Sequence, residues 1–177
     1  MISSTIEAWL RELTTIYPAI RCDWTFVTDH ANSLHAEEVA ALVGAVPKRR
    51  KEFSTGRVLA RALMGHIDGF AGQTIPKSES GAPEWPAGLV GSLTHVDGVC
   101  AAMIGRSTEY AGLGLDLERI DAVDLSVRDR VLTRVERQRP GDLAADLHLA
   151  LCFSAKEAVF KTLHPLAGEF KIGRAHV

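Results

Sequence analysis

Gly112-Leu113-Gly114-Leu115-Asp116-Leu117-Glu118 is the stretch whose periodicity decides how the rest of the chain is arranged. Its residues alternate, and in extended chain the side chains at i and i+2 share a face. Asp116 and Glu118 therefore project together, with Cα atoms ~6.6 Å apart, while Leu117 turns into the core with Leu115 beside it. The spacing predicts a strand over 113–118. Two carboxylates sharing a site repel, and each raises the other's pKa; a divalent cation relieves this. Hard oxygen ligands suit Mg²⁺, which keeps waters and takes phosphate oxygens as further ligands. The plainer reading is an exposed acidic strand end with Arg119 as its partner.

A second acidic element lies downstream in FSAKEAVFK, Phe153 to Lys161. The apolar spacing predicts a helix over 152–163, packed through Phe153, Val159 and Phe160. Ser154 is placed to cap it, with Glu157 at capping-box spacing. Glu157 and Lys161 stand i,i+4 on one face, and read plainly they form a surface ion pair worth a few tenths of a kcal/mol. Read for chemistry, Glu157 is a third acidic group, acting as metal ligand, base or both, and Lys161 meets a phosphate.

Upstream, KRRKEFSTGRVLARALMGHI (48–67) predicts a helix on the stripe Val58, Leu59, Ala62, Leu63 and Ile67. Lys48, Arg49, Arg50, Lys51, Arg57 and Arg61 stand against the single acid Glu52. With a net charge of −2 over 177 residues, this local density reads as a polyanion site rather than a nucleic-acid surface, which needs a broader basic face. Strands are expected over 89–94 and 99–104, joined by the turn His95-Val96-Asp97-Gly98. With 113–118 they suggest an antiparallel sheet. Donors on Thr94 and His95, at a strand end after Gly91-Ser92-Leu93, are placed to meet a phosphate. GAPEWPAG (81–88) is a rigid loop or the join between two lobes, with Trp85 packing it down.

The remainder is plainer. Helices are expected over 4–15, 35–43, 124–132 and 142–151, and strands over 21–28 and 169–171. The length allows one domain or two small lobes. Cys22, Cys100 and Cys152 are three widely spaced cysteines with no C-x-x-C, read as free buried thiols in a reducing compartment. No signal peptide and no transmembrane segment are read, and a cytoplasmic protein is expected. The last six residues, Ile172 to Val177, match a translated sequencing-adapter sequence and are read as non-native. By residue chemistry alone the parts sum to a Mg²⁺ and phosphate site: phosphoryl or nucleotidyl chemistry, or binding of a nucleotide-like diphosphate.

RRKEFSTGRVLARAL (49–63), GAPEWPAGLVGSLTHVDGVCAA (81–102), GLGLDLE (112–118) and FSAKEAVFK (153–161) together resemble the 4′-phosphopantetheinyl transferases, closest to the enterobactin-synthase component D type. The resemblance implies an α+β fold of two similar lobes with antiparallel sheets related by a pseudo-two-fold. Residues 1–105 would form an N-terminal lobe with the basic coenzyme A segment. Residues 106–177 would form a C-terminal lobe, incomplete at its end, with the metal-binding carboxylates. It implies Mg²⁺-dependent transfer of phosphopantetheine from coenzyme A to a serine of an apo acyl, peptidyl or aryl carrier protein. The chain would act as a monomer or within an enterobactin-synthase-like assembly. Asp116, Glu118 and Glu157 match the metal-binding trio. Glu157 also matches the residue that deprotonates the carrier serine, and Lys161 the lysine on the diphosphate. Arg49, Arg50, Arg57, Ser92, Thr94, His95 and Asp116 match coenzyme A-binding positions, His95 at the 3′-phosphate. Leu125, Val127 and Val131 are expected to receive an apolar carrier helix. Ala82 stands where many surfactin-synthetase-type relatives carry lysine, and Phe160 where enterobactin-type relatives carry tyrosine. Two other readings use the same residues: a Mg²⁺-dependent phosphohydrolase or nuclease, and an inactive module that binds coenzyme A or the carrier.

Overall fold

Val99–Arg106 forms β3, the central strand of a three-stranded antiparallel sheet of order β1-β3-β2, with β1 at Arg21–Phe26 and β2 at Leu89–Val96. The structure, a computed structural model, describes residues 2–138 and 141–167. β3 is central because its small and apolar residues can be buried on both faces. Cys100, Ala102 and Ile104 face one apolar cluster, and Ala101 and Met103 face the other. The β2–β3 hairpin closes at Asp97-Gly98, both left-handed (φ +40° and +81°), a turn that asparagine, aspartate and glycine accommodate best. Its register pairs His95 with Cys100 and Ser92 with Met103.

One face of the sheet is covered by α3, Pro47–Met64, through Leu59, Ala60, Leu63 and Met64. Proline at its first position suits a helix start, where the missing N–H has no partner to lose. The 81–88 loop packs on the same side. Trp85 lies so close to Gly91 that an added Cβ there would sit 2.7 Å from the indole, which supports the packing reading of Trp85. The other face takes α1, Ile2–Ile16, through Leu13, together with Leu113, Leu115 and Leu117.

Residues 113–118 do not join the sheet as a strand. The segment runs along the face of β2 in the same direction, Leu115 at Ser92 and Leu117 at Thr94. Ser92 and Thr94 hydroxyls, rather than backbone carbonyls, accept the Leu115 and Leu117 N–H groups at 2.9 and 3.1 Å. The two helices expected over 142–151 and 152–163 are one, α6, Ala145–Ala167. Ser154 is therefore in mid-helix and caps nothing, which removes the capping-box reading of Glu157.

Elsewhere the expected 35–43 helix is one turn, α2 (Ala36–Val39), continued as 3₁₀ over Ala40–Leu42. The expected 124–132 helix is a 3₁₀ turn followed by α4 (Arg128–Val131). α5, Arg134–Gln138, was not expected; Thr133 and Glu136 exchange capping bonds at its start. The expectations for 169–171 and Ile172–Val177 lie outside the described residues. Among the described residues, 107–167 contributes no strand.

Candidate active site

The glycines of the central motif explain how α6 reaches it. Gly112 and Gly114 face the helix; a Cβ on Gly114 would lie 1.8 Å from the Ala158 carbonyl oxygen, and one on Gly112 2.6 Å from that of Thr162. Only glycine allows this approach. The alternation then carries Asp116 to the same side, one turn along α6, where Lys161 meets it. Lys161 Nζ donates to Asp116 Oδ1 at 2.7 Å and to the Leu115 carbonyl at 3.1 Å. Lys161 therefore pairs with Asp116, not with Glu157 as the local reading had it. Thr94 Oγ1 also donates to Asp116 Oδ1, at 3.4 Å. Among the described residues Asp116 Oδ2 is buried with no hydrogen-bond partner, an orphaned hard oxygen.

Successive residues of β2 serve opposite faces of the sheet. Thr94 turns toward Asp116. His95 turns toward α3, where Nε2 stands 3.2 Å from Glu52 Oε2. Burial lowers the His95 pKa, opposed by Glu52 and reinforced by Arg49, Lys161 and Lys48. At the end of β2 the two sides open into one cleft of roughly 660 Å³ whose lining includes Lys48, Arg49, Glu52, His95, Glu118 and Arg119. Its inner wall adjoins a smaller hollow of roughly 150 Å³ that shares Arg49, Glu52 and His95 and adds Arg57, Gly81 and Pro83.

Arg57 is 4% exposed. Its guanidinium lies 4.3 Å over the Phe53 ring and donates to the Pro76 carbonyl at 3.3 Å, while Nε has no partner among the described residues. Burial pushes its pKa down to about 10, so it stays cationic at neutral pH. A third cleft of roughly 450 Å³ lies along the β2 edge between Trp85, Leu93, Phe160, Lys161 and His164.

The structure thus brings Arg49, His95 and Glu118 to one cleft and Arg57 to its inner hollow, while Asp116, Thr94 and Lys161 meet one another outside that cleft's lining, with Lys161 on the wall of the third cleft. Arg50 goes elsewhere, pairing with Asp29 at 3.2 Å. Ser92 is buried, its hydroxyl engaged with Leu115 N and O. Glu157 is half-buried on α6, one turn before Lys161. Among the described residues, no three His, Cys, Asp or Glu side chains are gathered closely enough to hold an ion. Arg119 pairs with Asp97 and Asp121, and its backbone N–H meets the Glu118 carboxylate. Glu52 was missed as a site residue, because its partner lies on another element with no local pattern to announce it. Cys100 is buried, its thiol pushed up to about 12, and takes no nucleophilic part. No described helix is long and apolar enough to cross a membrane.

Comparison with known proteins gives two matches that together cover most of the chain. Residues 37–105 match the 4′-phosphopantetheinyl transferase N-terminal domain, and residues 112–172 match the 4′-phosphopantetheinyl transferase superfamily. The chain is 42% identical to 4′-phosphopantetheinyl transferase Svp of Streptomyces mobaraensis over 79% of its own length and 58% of that protein's. It is 38% identical to 4′-phosphopantetheinyl transferase PptT of Mycobacterium tuberculosis over 73% and 58%. Enterobactin synthase component D of Escherichia coli is 33% identical over 69% and 58%. The chain spans about three-fifths of the length of these curated relatives.

Proposed function

Since the chain belongs to the 4′-phosphopantetheinyl transferase superfamily, we propose that its cleft binds coenzyme A and transfers the 4′-phosphopantetheine arm to a serine of an apo carrier protein. The carrying observation is that three motifs distant in sequence line one cleft: Arg49 from α3, His95 from β2 and Glu118 from the extended segment. A cleft that sets Lys48, Arg49 and His95 beside Glu118 is what a diphosphate and its counter-cation require. The basic groups alone would suit any polyanion, and the carboxylate alone any cation.

The residues divide the work as follows. Arg49, His95 and Arg57 hold the nucleotide end, whose phosphates find cationic donors there. Asp116 and Glu118 would hold Mg²⁺; the orphaned Oδ2 of Asp116 suits a hard cation of this kind. When bound, the ion neutralises diphosphate charge and aligns the reacting phosphorus. Glu157 takes the proton of the carrier serine, a weak nucleophile without a base. The serine oxygen then bonds to the phosphorus bearing pantetheine, the bond from that phosphorus to the bridging oxygen breaks, and 3′,5′-ADP departs. Lys161 supplies fixed positive charge where charge grows on the departing oxygen. Two lobes, a cytoplasmic setting and service to siderophore or other non-ribosomal peptide carriers belong to the same proposal.

Intact-mass spectrometry of an apo peptidyl or aryl carrier protein, incubated with the chain, coenzyme A and Mg²⁺, tests the reading. The expected outcome is a gain of one phosphopantetheinyl group that Asp116→Ala abolishes. Coenzyme A consumption without a carrier would point instead to a phosphohydrolase, and binding without transfer to an inactive module.

A further inference from the structure

We infer that Thr94 is a positioning residue for Asp116 rather than a coenzyme A ligand, and that the Ser92/Thr94 pair is the device that docks the acidic segment onto β2. The inference rests on the reading of Asp116 as a metal ligand. Three observations carry it.

The first is proton count. A hydroxyl has one hydrogen to donate. That of Thr94 goes to Asp116 Oδ1 at 3.4 Å, and its oxygen accepts the Leu117 N–H at 3.1 Å. A phosphate, which only accepts, would have to take the hydrogen from Asp116.

The second is burial and direction. Ser92 and Thr94 are each 4% exposed. They sit i,i+2 on the face of β2 that meets Leu115 and Leu117. His95, the neighbour that lines the cleft, sits on the other face with Glu52.

The third is division of labour between the hydroxyls. Among the described residues the Ser92 hydroxyl engages only the Leu115 backbone, through its N–H at 2.9 Å and its carbonyl at 3.4 Å. Thr94 adds a bond to the carboxylate itself. With Lys161 on the same oxygen at 2.7 Å, Oδ1 is held from two sides and Oδ2 is the oxygen left over. A carboxylate pinned through one oxygen presents the other in a fixed direction, which is how outer-shell donors orient metal ligands.

The test uses Mn²⁺ as probe, read by the loss of its free-ion electron paramagnetic resonance signal, on the full chain and on Thr94→Val, Thr94→Ser, Ser92→Ala and Asp116→Ala. Coenzyme A affinity is measured separately without metal. Positioning predicts that Thr94→Val weakens Mn²⁺ binding by about tenfold, that Thr94→Ser restores it, and that metal-free coenzyme A affinity is unchanged in both. His95→Ala serves as the reference for a lost phosphate contact. Ser92→Ala matches the loss of segment docking without touching the carboxylate, and its Mn²⁺ affinity should fall much less. The inference is overturned if Thr94→Val weakens coenzyme A as His95→Ala does while Mn²⁺ affinity stays put. It is equally overturned if Ser92→Ala and Thr94→Val lose Mn²⁺ alike, since loosening would then explain both. Mn²⁺ binding indifferent to Asp116→Ala is a separate result and removes the metal reading beneath it.

Discussion

Lys161 Nζ stands 2.7 Å from Asp116 Oδ1, joining residues 45 positions apart across the contact between α6 and the extended segment. The pair is mostly shielded from solvent, at 27% and 9% side-chain exposure. Lys161→Met keeps the stem's packing and removes the charge. Transfer to the carrier should fall by about 10²–10³ in kcat, with a smaller change in KM. Asp116 would be left with Thr94 as its only side-chain donor among the described residues, so a stability loss of about 2 kcal/mol should accompany it. Steady-state kinetics and a urea melt on the same variant separate the two effects.

Gly114→Ala should be far more damaging than a surface change of the same size. The added methyl would lie 1.8 Å from Ala158 O and 2.2 Å from Thr162 Oγ1, and the carbonyl belongs to helix backbone that cannot step aside alone. The expected cost is about 3 kcal/mol, at the upper end for overpacking. For a chain of this size that lowers Tm by roughly 6–12 °C. Calorimetry checks it, and a Tm unchanged within a degree would mean α6 does not pack here.

Much of this arrangement was legible because it is periodic. The alternation of Leu113, Leu115 and Leu117 against Asp116 and Glu118, the apolar stripe of α3 and the run Val99 to Ile104 each announce their element. What was hidden is what tertiary partners decide. Extended geometry over 113–118 follows from sequence, but whether a ladder or two hydroxyls satisfy its N–H groups depends on Ser92 and Thr94, about twenty residues away. Ser154 reads as a cap only when the residues before it are taken to break, and in the fold α6 runs through. The pairing of Lys161 with Asp116 rather than Glu157 could not be seen from i,i+4 spacing, because an intrahelical neighbour always looks available.

His95 gives the fold a pH dependence whose sign can be worked out. Burial holds its folded-state pKa below the ordinary ~6.5. The unfolded chain therefore takes up this proton first as pH falls. The histidine's contribution is fully present above ~6.5 and is lost as pH drops through that value toward the lower folded pKa. His95→Gln should flatten the fall in stability over this window, seen by comparing urea midpoints at several pH values. An unaltered slope would assign the dependence to other groups.

Arg57 is held by its shape as much as by its charge. It stacks on Phe53 at 4.3 Å and reaches the Pro76 carbonyl. Lysine keeps the charge but lacks the planar fork that does both. Arg57→Lys should therefore weaken coenzyme A by about tenfold, near 1.4 kcal/mol, read by calorimetric titration. Retained affinity would show that only the charge matters and would move the nucleotide site away from the inner hollow.

Chelation should silence transfer and leave the fold standing. Asp116 is already held by Lys161 and Thr94 in the protein alone, so the acidic segment does not depend on an ion for its docking. In the proposed site an ion would be held through Oδ2, which is buried without a partner among the described residues, and not through the oxygen that Lys161 holds. EDTA should therefore abolish carrier modification and lower Tm by only a few degrees, leaving a cooperative unfolding transition. Restoring Mg²⁺ at tenfold its dissociation constant should raise stability by about 1.4 kcal/mol. That gain should vanish in Asp116→Asn, whose amide is a far weaker ligand. A chain that unfolds on chelation would show that the ion, not Lys161 and Thr94, holds the segment against β2, and the positioning argument would fail with it.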